Sequence, residues 1–393
     1  MKQAASIRAG TVPTPVQAAS PVVSLFLYSL LVGLRRVLFF SLLLGASVLV
    51  GWHAVLRLHA MSRRERSNVL VLGTGELARE LVREVLRRPQ LGLTVKGFVD
   101  DKPELVGVSL VNPRVIGLTR DLTTLVPKHE VHRIVVELAE RRGRLPVEEL
   151  LGLKVKGIAI EDAATFYERV SGKIALENLK PSWLVFNEGF RLSRHSLILK
   201  QMLAVALSSA LLLLISPFLP LIILLIKLDS RGPIVVGHKR IGQEQRVFTL
   251  WRFRTTEQDG EGETCTDRAA TSDPRFTRIG RLLHKMRLDG IPQLWNVIRG
   301  DMTLIGPLAE RREVGSGLEN DNAVYRMRHS VKPGLIGWAQ IKCGYGSVIE
   351  DAREVLQYDL YYVKNMSWIL DAVIAFEAAR SALRRRLSYA HRF

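Results

Sequence analysis

Asn68-Val69-Leu70-Val71-Leu72-Gly73-Thr74-Gly75-Glu76-Leu77-Ala78 is an apolar run that stops at a glycine turn and opens at once into a helical pattern. Asn68 to Leu72 reads as a buried strand, Gly73-Thr74-Gly75 as a tight turn, and Glu76 to Arg88 as a helix with apolar positions Leu77, Leu81, Val82 and Leu86. Further strands at Thr94 to Val99 and Arg133 to Val136 alternate with helical stretches, which predicts an α/β fold with a doubly wound parallel sheet ending near Phe186. Asp100 and Asp101 end the strand after the turn, the context of a dinucleotide fingerprint. Glycine allows the tight turn and close phosphate approach, and an acidic side chain can hold a ribose hydroxyl. Gly73, Gly75 and Asp100 are therefore the candidate cofactor-binding residues. A structural or regulatory turn is the alternative, because no Tyr-Lys or Cys-His pattern follows.

Before this sheet, residues 1–67 read as a leader and membrane anchor. Val22 to Leu34 and Val37 to Leu56 are apolar runs parted by Arg35 and Arg36. Only the second reaches the length of about 20 residues that a spanning helix needs. No small-residue cleavage site follows a short apolar core, so the expectation is a retained anchor. Arg63, Arg64 and Arg66 then put the following sheet, residues 68–186, in the cytoplasm under the positive-inside rule.

Beyond the sheet, residues 187–393 begin with a second apolar region, Leu197 to Lys227, broken at Ser216-Pro217 and again at Pro220. Proline lacks the helix donor and clashes with the preceding turn, so this stretch is expected to be a kinked span or a re-entrant hairpin. Arg191, Arg194 and Lys200 precede it and Lys227, Arg231, Lys239 and Arg240 follow, which favours return to the cytoplasmic side. Trp368 to Leu383 reads as a helix with an apolar face of Ile369, Leu370, Val373, Ile374 and Phe376, either lying on the membrane or packed on the core.

The 56 Lys and Arg against 38 Asp and Glu give a net charge of +18, which suits polyanionic partners: anionic lipid headgroups or phosphorylated substrates. Nucleic acid is disfavoured, since the basic residues flank apolar segments and no recognised nucleic-acid module is present. Cys265 and Cys343 are too far apart to indicate a zinc site or a disulfide framework.

The densest signal lies between Thr271 and Gln340. Asp273-Pro274-Arg275-Phe276-Thr277-Arg278-Ile279-Gly280-Arg281 precedes Leu288-Asp289-Gly290-Ile291-Pro292-Gln293-Leu294-Trp295-Asn296. Gly300-Asp301-Met302, Gly306-Pro307, Arg328-His329-Ser330-Val331-Lys332-Pro333-Gly334 and Gly337-Trp338-Ala339-Gln340 follow. Together with the Ser-Pro break and Tyr358-Asp359-Leu360-Tyr361-Tyr362-Val363-Lys364-Asn365, these resemble the bacterial sugar transferase family of monotopic polyprenyl-phosphate phosphoglycosyl transferases. Larger members carry an N-terminal Rossmann-like domain, which the sheet described above would be.

The resemblance implies a membrane-associated mixed α/β transferase domain with a re-entrant helix. It also implies transfer of a sugar 1-phosphate from a UDP-sugar to polyprenyl (undecaprenyl) phosphate in exopolysaccharide synthesis, with Mg2+. Asp289 matches the nucleophile, whose attack divides one hard displacement into two, and cations must neutralise the charge on the transferring oxygens. Candidate substrate-binding residues are Lys239, Arg240, Arg252, Arg254, Lys285, Arg328, Lys332 and Gln340. A homodimer is left open.

Four positions, Gly290, Leu308, Ala309 and Arg252, depart from the family's pattern. Gly290 stands where the family has a glutamate next to the nucleophile, associated with the magnesium site. Leu308 replaces an arginine of Gly-Pro-Arg-Pro, and Arg252 a lysine. Asp301, Glu310 and Asp359 are the candidate substitute metal ligands. A catalytically impaired relative that binds substrate or serves as an assembly scaffold at the membrane is the alternative these departures raise.

Overall fold

The structure is a computed structural model that describes residues 67–137, 145–176, 189–190, 193–256, 276–311, 323–343 and 352–390. The N-terminal apolar runs, Arg63, Arg64, Arg66, the boundary near Phe186, Cys265 and Asp273 to Arg275 lie outside the described residues.

The first part runs β1 (Ser67–Leu72), α1 (Glu76–Arg87), β2 (Leu93–Asp100), β3 (Val115–Leu118), α2 (Leu122–Lys128), β4 (Arg133–Val136), α3 (Val147–Val155), β5 (Ala159–Asp162) and α4 (Ala163–Ser171). The five strands form a parallel sheet in the order β3-β2-β1-β4-β5. Successive strand residues point to opposite faces. Val69 and Val71 pack with residues of α1 and α4, whereas Leu70 and Leu72 pack with Leu122, Leu125, Leu150 and Leu153 of α2 and α3. A sheet covered on both faces needs apolar residues at every central position, which is why β1 reads as an unbroken Val-Leu run. On α1 the buried positions are Leu77, Ala78, Leu81, Val82 and Val85. Leu86, expected on that face, is exposed, because the helical period brings Val85 inward in its place.

The second apolar region forms α5 (Arg194–Ile215), a 3-10 turn (Ser216–Phe218) and α6 (Leu219–Asp229). Within these 36 residues an 18-residue stretch reaches a mean hydropathy of 2.7, and 6% of that stretch is buried within the protein. Among the described residues this is the one helix long and apolar enough to cross a membrane. The 3-10 turn coincides with Ser216-Pro217, where the ring removes a donor. Gln201 near the start donates to the carbonyls of Val297 and Met302, both at 3.3 Å. Just past the end, Ser230 accepts from Arg254 through its carbonyl and hydroxyl oxygens at 2.7 and 2.8 Å. A straight helix would carry residues 201 and 230 about 44 Å apart. Val297 follows Asn296, whose Oδ1 accepts from the Trp251 amide. Trp251 and Arg254 are separated by only about 10 Å of extended chain. The helix therefore bends at the Ser-Pro joint.

The remainder contains β6 (Val235–Ile241), β7 (Val247–Phe253), α7 (Arg278–Met286), α8 (Gln293–Arg299), β8 (Thr303–Ile305), β9 (Glu310–Arg311), α9 (Ala323–Arg328), β10 (Gly334–Ile336), α10 (Trp338–Lys342), α11 (Ala352–Lys364) and α12 (Trp368–Ala390). β6 lies between β7 and β9 in an antiparallel sheet, and β8 pairs with β10 in parallel. On α12, Ile374 is buried and Leu370 and Val373 pack against the cluster of Trp338, Tyr358 and Tyr362, so this helix packs on the core. Ile369, expected on the same face, is exposed.

The parallel sheet and this remainder share a buried seam. The Trp338 indole donates to the Gly172 carbonyl at 2.8 Å, and Ile174 packs among Tyr325, Leu356 and Leu360. Lys364 donates to both Glu168 oxygens at 3.0 and 2.7 Å, with both side chains buried.

Candidate active site

Asp289 is positioned by a short chain of local devices. Thr277 caps α7, accepting from the Gly280 amide at 2.8 Å, and Asp229 at the end of α6 accepts from the Ile279 amide at 2.8 Å. Gly280 lets α7 press on the chain after β7: a Cβ there would meet the Thr255 carbonyl oxygen at 2.1 Å. The helix ends at Arg287, whose φ of 61° is left-handed, and this reversal leads into a 3-10 turn, Leu288–Gly290. Asp289 lies on that turn and is only 4% exposed.

Three cationic or hydrogen-bonding groups surround this carboxylate. His284 Nδ1 lies 3.4 Å from Asp289 Oδ2, at the long end of a hydrogen bond. Burial alone would push the carboxyl's pKa up. The His284 hydrogen bond, and then the charges on Arg252, His284 and Arg287, outweigh burial and hold it below the ordinary carboxylate range. Asp289 is thus kept ionised, as an attacking carboxylate must be. Arg252, on β7, has a buried Nε with no hydrogen-bond partner among the described residues.

A second charged cluster has the reverse composition. Arg328 is buried, donating to Glu310 at 2.6 Å and to the Leu308 carbonyl at 3.2 Å, and it pairs with Asp359 at 2.8 Å. Tyr325 also donates to Glu310. Asp359 is fully buried; burial pushes its pKa up to about 6, opposed by Arg328 and reinforced by Glu310.

The remaining sequence-derived candidates divide by their partners. Arg252 joins Asp289, whereas Arg254 is buried and engaged by Ser230, so it holds the end of the apolar helix. Arg328 is engaged by Glu310 and Asp359 within the fold. Gln340 Oε1 accepts from the Gly337 amide at 3.1 Å and so caps α10. Lys239 is exposed and donates to Thr249 at 3.0 Å, Lys285 is exposed on α7, and Arg240 is half-buried on β6. Lys332 is half-buried; burial lowers its pKa and the neighbouring Asp301 acts against that.

The three candidate metal ligands are not grouped with Asp289. Glu310 and Asp359 share Arg328, while Asp301 accepts from Asn296 at 3.3 Å. Among the described residues no three His, Cys, Asp or Glu side chains gather as a metal would need. Asp289, the expected nucleophile beside which the family's magnesium would sit, feels the charges of Arg252, His284 and Arg287 instead. This donor set does not fit a divalent cation.

At the other candidate site, the Gly75 amide donates to Glu137 Oε2 at 2.8 Å, and Thr74 donates to Asp100 Oδ2 at 2.6 Å. The glycine turn and the acidic residue after it are therefore satisfied by the chain itself. Sequence reasoning overlooked Glu137, His284 and Arg287. The last two stand just before Asp289, and the recognisable signal was cationic residues in the final turn of α7 leading into the carboxylate.

Comparison with known proteins points the same way as the motifs. The model of the family described as bacterial sugar transferase matches residues 195–385. A UDP-N-acetylgalactosamine-undecaprenyl-phosphate N-acetylgalactosaminephosphotransferase of Aeromonas hydrophila is 39% identical over 43% of this chain and 40% of its own length. An undecaprenyl-phosphate glucose phosphotransferase of Komagataeibacter xylinus is 29% identical over 82% of this chain and 60% of its own length. The chain thus spans 40% and 60% of these two relatives. The exopolysaccharide production protein PSS of Rhizobium leguminosarum bv. phaseoli is 35% identical over 48% of this chain and is itself covered to 97%. With that relative matched nearly end to end, and with the family model spanning the bent apolar helix and Asp289, the chain belongs to the bacterial sugar transferase family.

Proposed function

We propose that the chain transfers a sugar 1-phosphate from a UDP-sugar to polyprenyl phosphate, starting an exopolysaccharide or another lipid-linked glycan. The observation that carries this reading is Asp289, buried yet held ionised by His284, Arg252 and Arg287. In the first step an Asp289 oxygen attacks the phosphorus attached to the sugar. An aspartyl O–P bond forms, the bond to the bridging oxygen breaks, and UMP leaves with the electron pair. In the second step a polyprenyl phosphate oxygen attacks the same phosphorus, and Asp289 is released as carboxylate. Arg252 and Arg287 favour the charge gathering on the phosphoryl oxygens. No step is assigned to magnesium, since the described residues do not build a site for it.

The bent apolar helix supports a re-entrant membrane segment, which would bring the lipid substrate beside β7 and α7. Basic residues at both ends, Arg194 and Lys200 before and Lys227 and Arg231 after, support placing the soluble parts on the cytoplasmic side of the inner membrane. The parallel sheet, with its order reversing beside β1, supports a Rossmann-like assignment. Its occupied glycine turn favours the structural alternative over dinucleotide binding.

The test is incubation of the full chain, in nanodiscs with undecaprenyl phosphate, against a panel of radiolabelled UDP-sugars. UMP release with label on lipid is expected. Absence of both across the panel, together with no label on Asp289, ends this reading. A scaffold role is favoured by one specific feature, Gly290, which offers no ligand. A Cβ at this position would have 3.6 Å to its nearest neighbour, the Gln293 amide, so Gly290→Glu is sterically allowed. Under the scaffold reading that substitution creates activity the parent lacks.

A further inference from the structure

Arg287 occupies a backbone position that glycine would adopt without strain. Its φ is 61°, a left-handed conformation in which the Cβ of a non-glycine residue crowds the following carbonyl oxygen. Many helices use glycine at this point to reverse the chain. An arginine kept there is explained if its side chain is used, and its charge falls on Asp289. From another element, Arg252 brings a second guanidinium to the same carboxylate, with its buried Nε unmatched by any described acceptor. His284 Nδ1 lies 3.4 Å from Asp289 Oδ2. Against these stands Gly290, which supplies nothing that could coordinate a cation.

We propose that Arg252 and Arg287 neutralise the substrate's diphosphate directly, with His284 positioning Asp289, so that no divalent cation is coordinated beside the nucleophile. A dication at this place would be repelled by both guanidiniums whose charges act on Asp289, with one carboxylate to hold it. Magnesium is ordinarily held by one or two carboxylates together with substrate phosphates, and here the single carboxylate is the group that attacks. Guanidinium forks match phosphate oxygens in geometry as well as charge.

This inference rests on the transfer reading, and its tests are chosen to part from it. Mn2+ alone is titrated into the full chain in nanodiscs and followed by electron paramagnetic resonance. No bound Mn2+ is expected for the parent, whereas G290E gains a site. Stoichiometric Mn2+ binding by the parent overturns the inference whether or not the chain turns over. UDP binding is then measured in EDTA for the parent and for Arg287→Gly. Loss of a charged hydrogen bond predicts about 10- to 100-fold weaker binding. The melting temperature should stay level or rise, because glycine relieves the left-handed strain. A purely structural Arg287 predicts unchanged UDP affinity, and that result overturns the inference. Where UMP release is detectable, it should persist in EDTA within about twofold of its rate in Mg2+, well short of the tenfold that 1.4 kcal/mol represents. Abolition by EDTA with recovery on Mg2+ contradicts the proposal without touching the transfer reading.

Discussion

Asp289 and Arg328 are the same kind of arrangement with the signs exchanged. Around Asp289 one carboxylate meets His284, Arg252 and Arg287, and positive charge is in excess. Around Arg328 one guanidinium meets Glu310 and Asp359, and negative charge is in excess. In the first cluster the ring includes an exposed residue, Arg287, and a half-buried one, Arg252, so an incoming anion has side chains to approach. In the second the guanidinium is enclosed by the protein's own acids. Charge of a given type is therefore a poor guide to function; whether its partners are already inside the chain is a better one.

The largest expected effect breaks the first cluster. Asp289→Asn keeps the volume and removes the proposed nucleophile, and UMP release should fall by on the order of 10⁴-fold or more. The melting temperature should change little by comparison. Retention of a tenth of the activity would show that another group attacks.

Next comes the second cluster. Arg328→Met leaves Glu310 and Asp359 buried without a counter-charge, and breaking a buried pair in this way costs about 3–5 kcal/mol. A marked drop in melting temperature is expected. Replacing Arg328, Glu310 and Asp359 together by Met, Leu and Leu should recover most of the loss. If Arg328→Met instead left stability unchanged while lowering affinity for UDP, the contrast between the clusters would collapse.

A smaller effect separates the two carboxylates by pH. Asp359 has a folded pKa of about 6 against an ordinary value of 3.8, so the folded chain holds a proton that the unfolded chain releases. That contribution is full below the ordinary value and is lost as pH rises through about 6. Asp289 has the opposite sign: its lowered pKa contributes stability above the ordinary value, lost as pH falls through the depressed one. Between about pH 5 and about pH 8, the parent should lose melting temperature relative to Asp359→Asn. The difference between the parent and Asp289→Asn should stay flat over that range.

These clusters also mark what the sequence makes legible. The strand Val69 to Leu72 and the turn after it are readable because period, length and glycine act on neighbouring residues. The break at Ser216-Pro217 is equally local. Arg328 looked like a phosphate ligand because Glu310, 18 residues before it, and Asp359 come to it only through the packing of α9 and α11. Arg254 misled in the same way, since Ser230 reaches it across the end of the bent helix. Asp289 was found from its motif, whereas His284, five residues away, was passed over because nothing in the spacing alone turns α7 back on itself; the left-handed Arg287 does.

The smallest effect concerns Glu137, a third carboxylate that extends the comparison. It stands 62 residues from Gly75 and accepts from that amide where a dinucleotide phosphate was expected. Burial raises its pKa, the Gly75 hydrogen bond lowers it, Asp100 raises it and Arg79 lowers it, with a net rise. Among the described residues it has one backbone donor and no guanidinium fork, so it falls with the enclosed Arg328 cluster in having its partner inside the chain, but with a weaker bond. Glu137→Ala should destabilise by about 1 kcal/mol, the net worth of an ordinary hydrogen bond. UMP release should be unchanged, because Glu137 touches neither Asp289 nor its cations. A loss of transfer activity at unchanged melting temperature would mean that the glycine turn communicates with Asp289 across the seam of Trp338, Gly172, Lys364 and Glu168, and the sheet would then count as part of the catalytic apparatus.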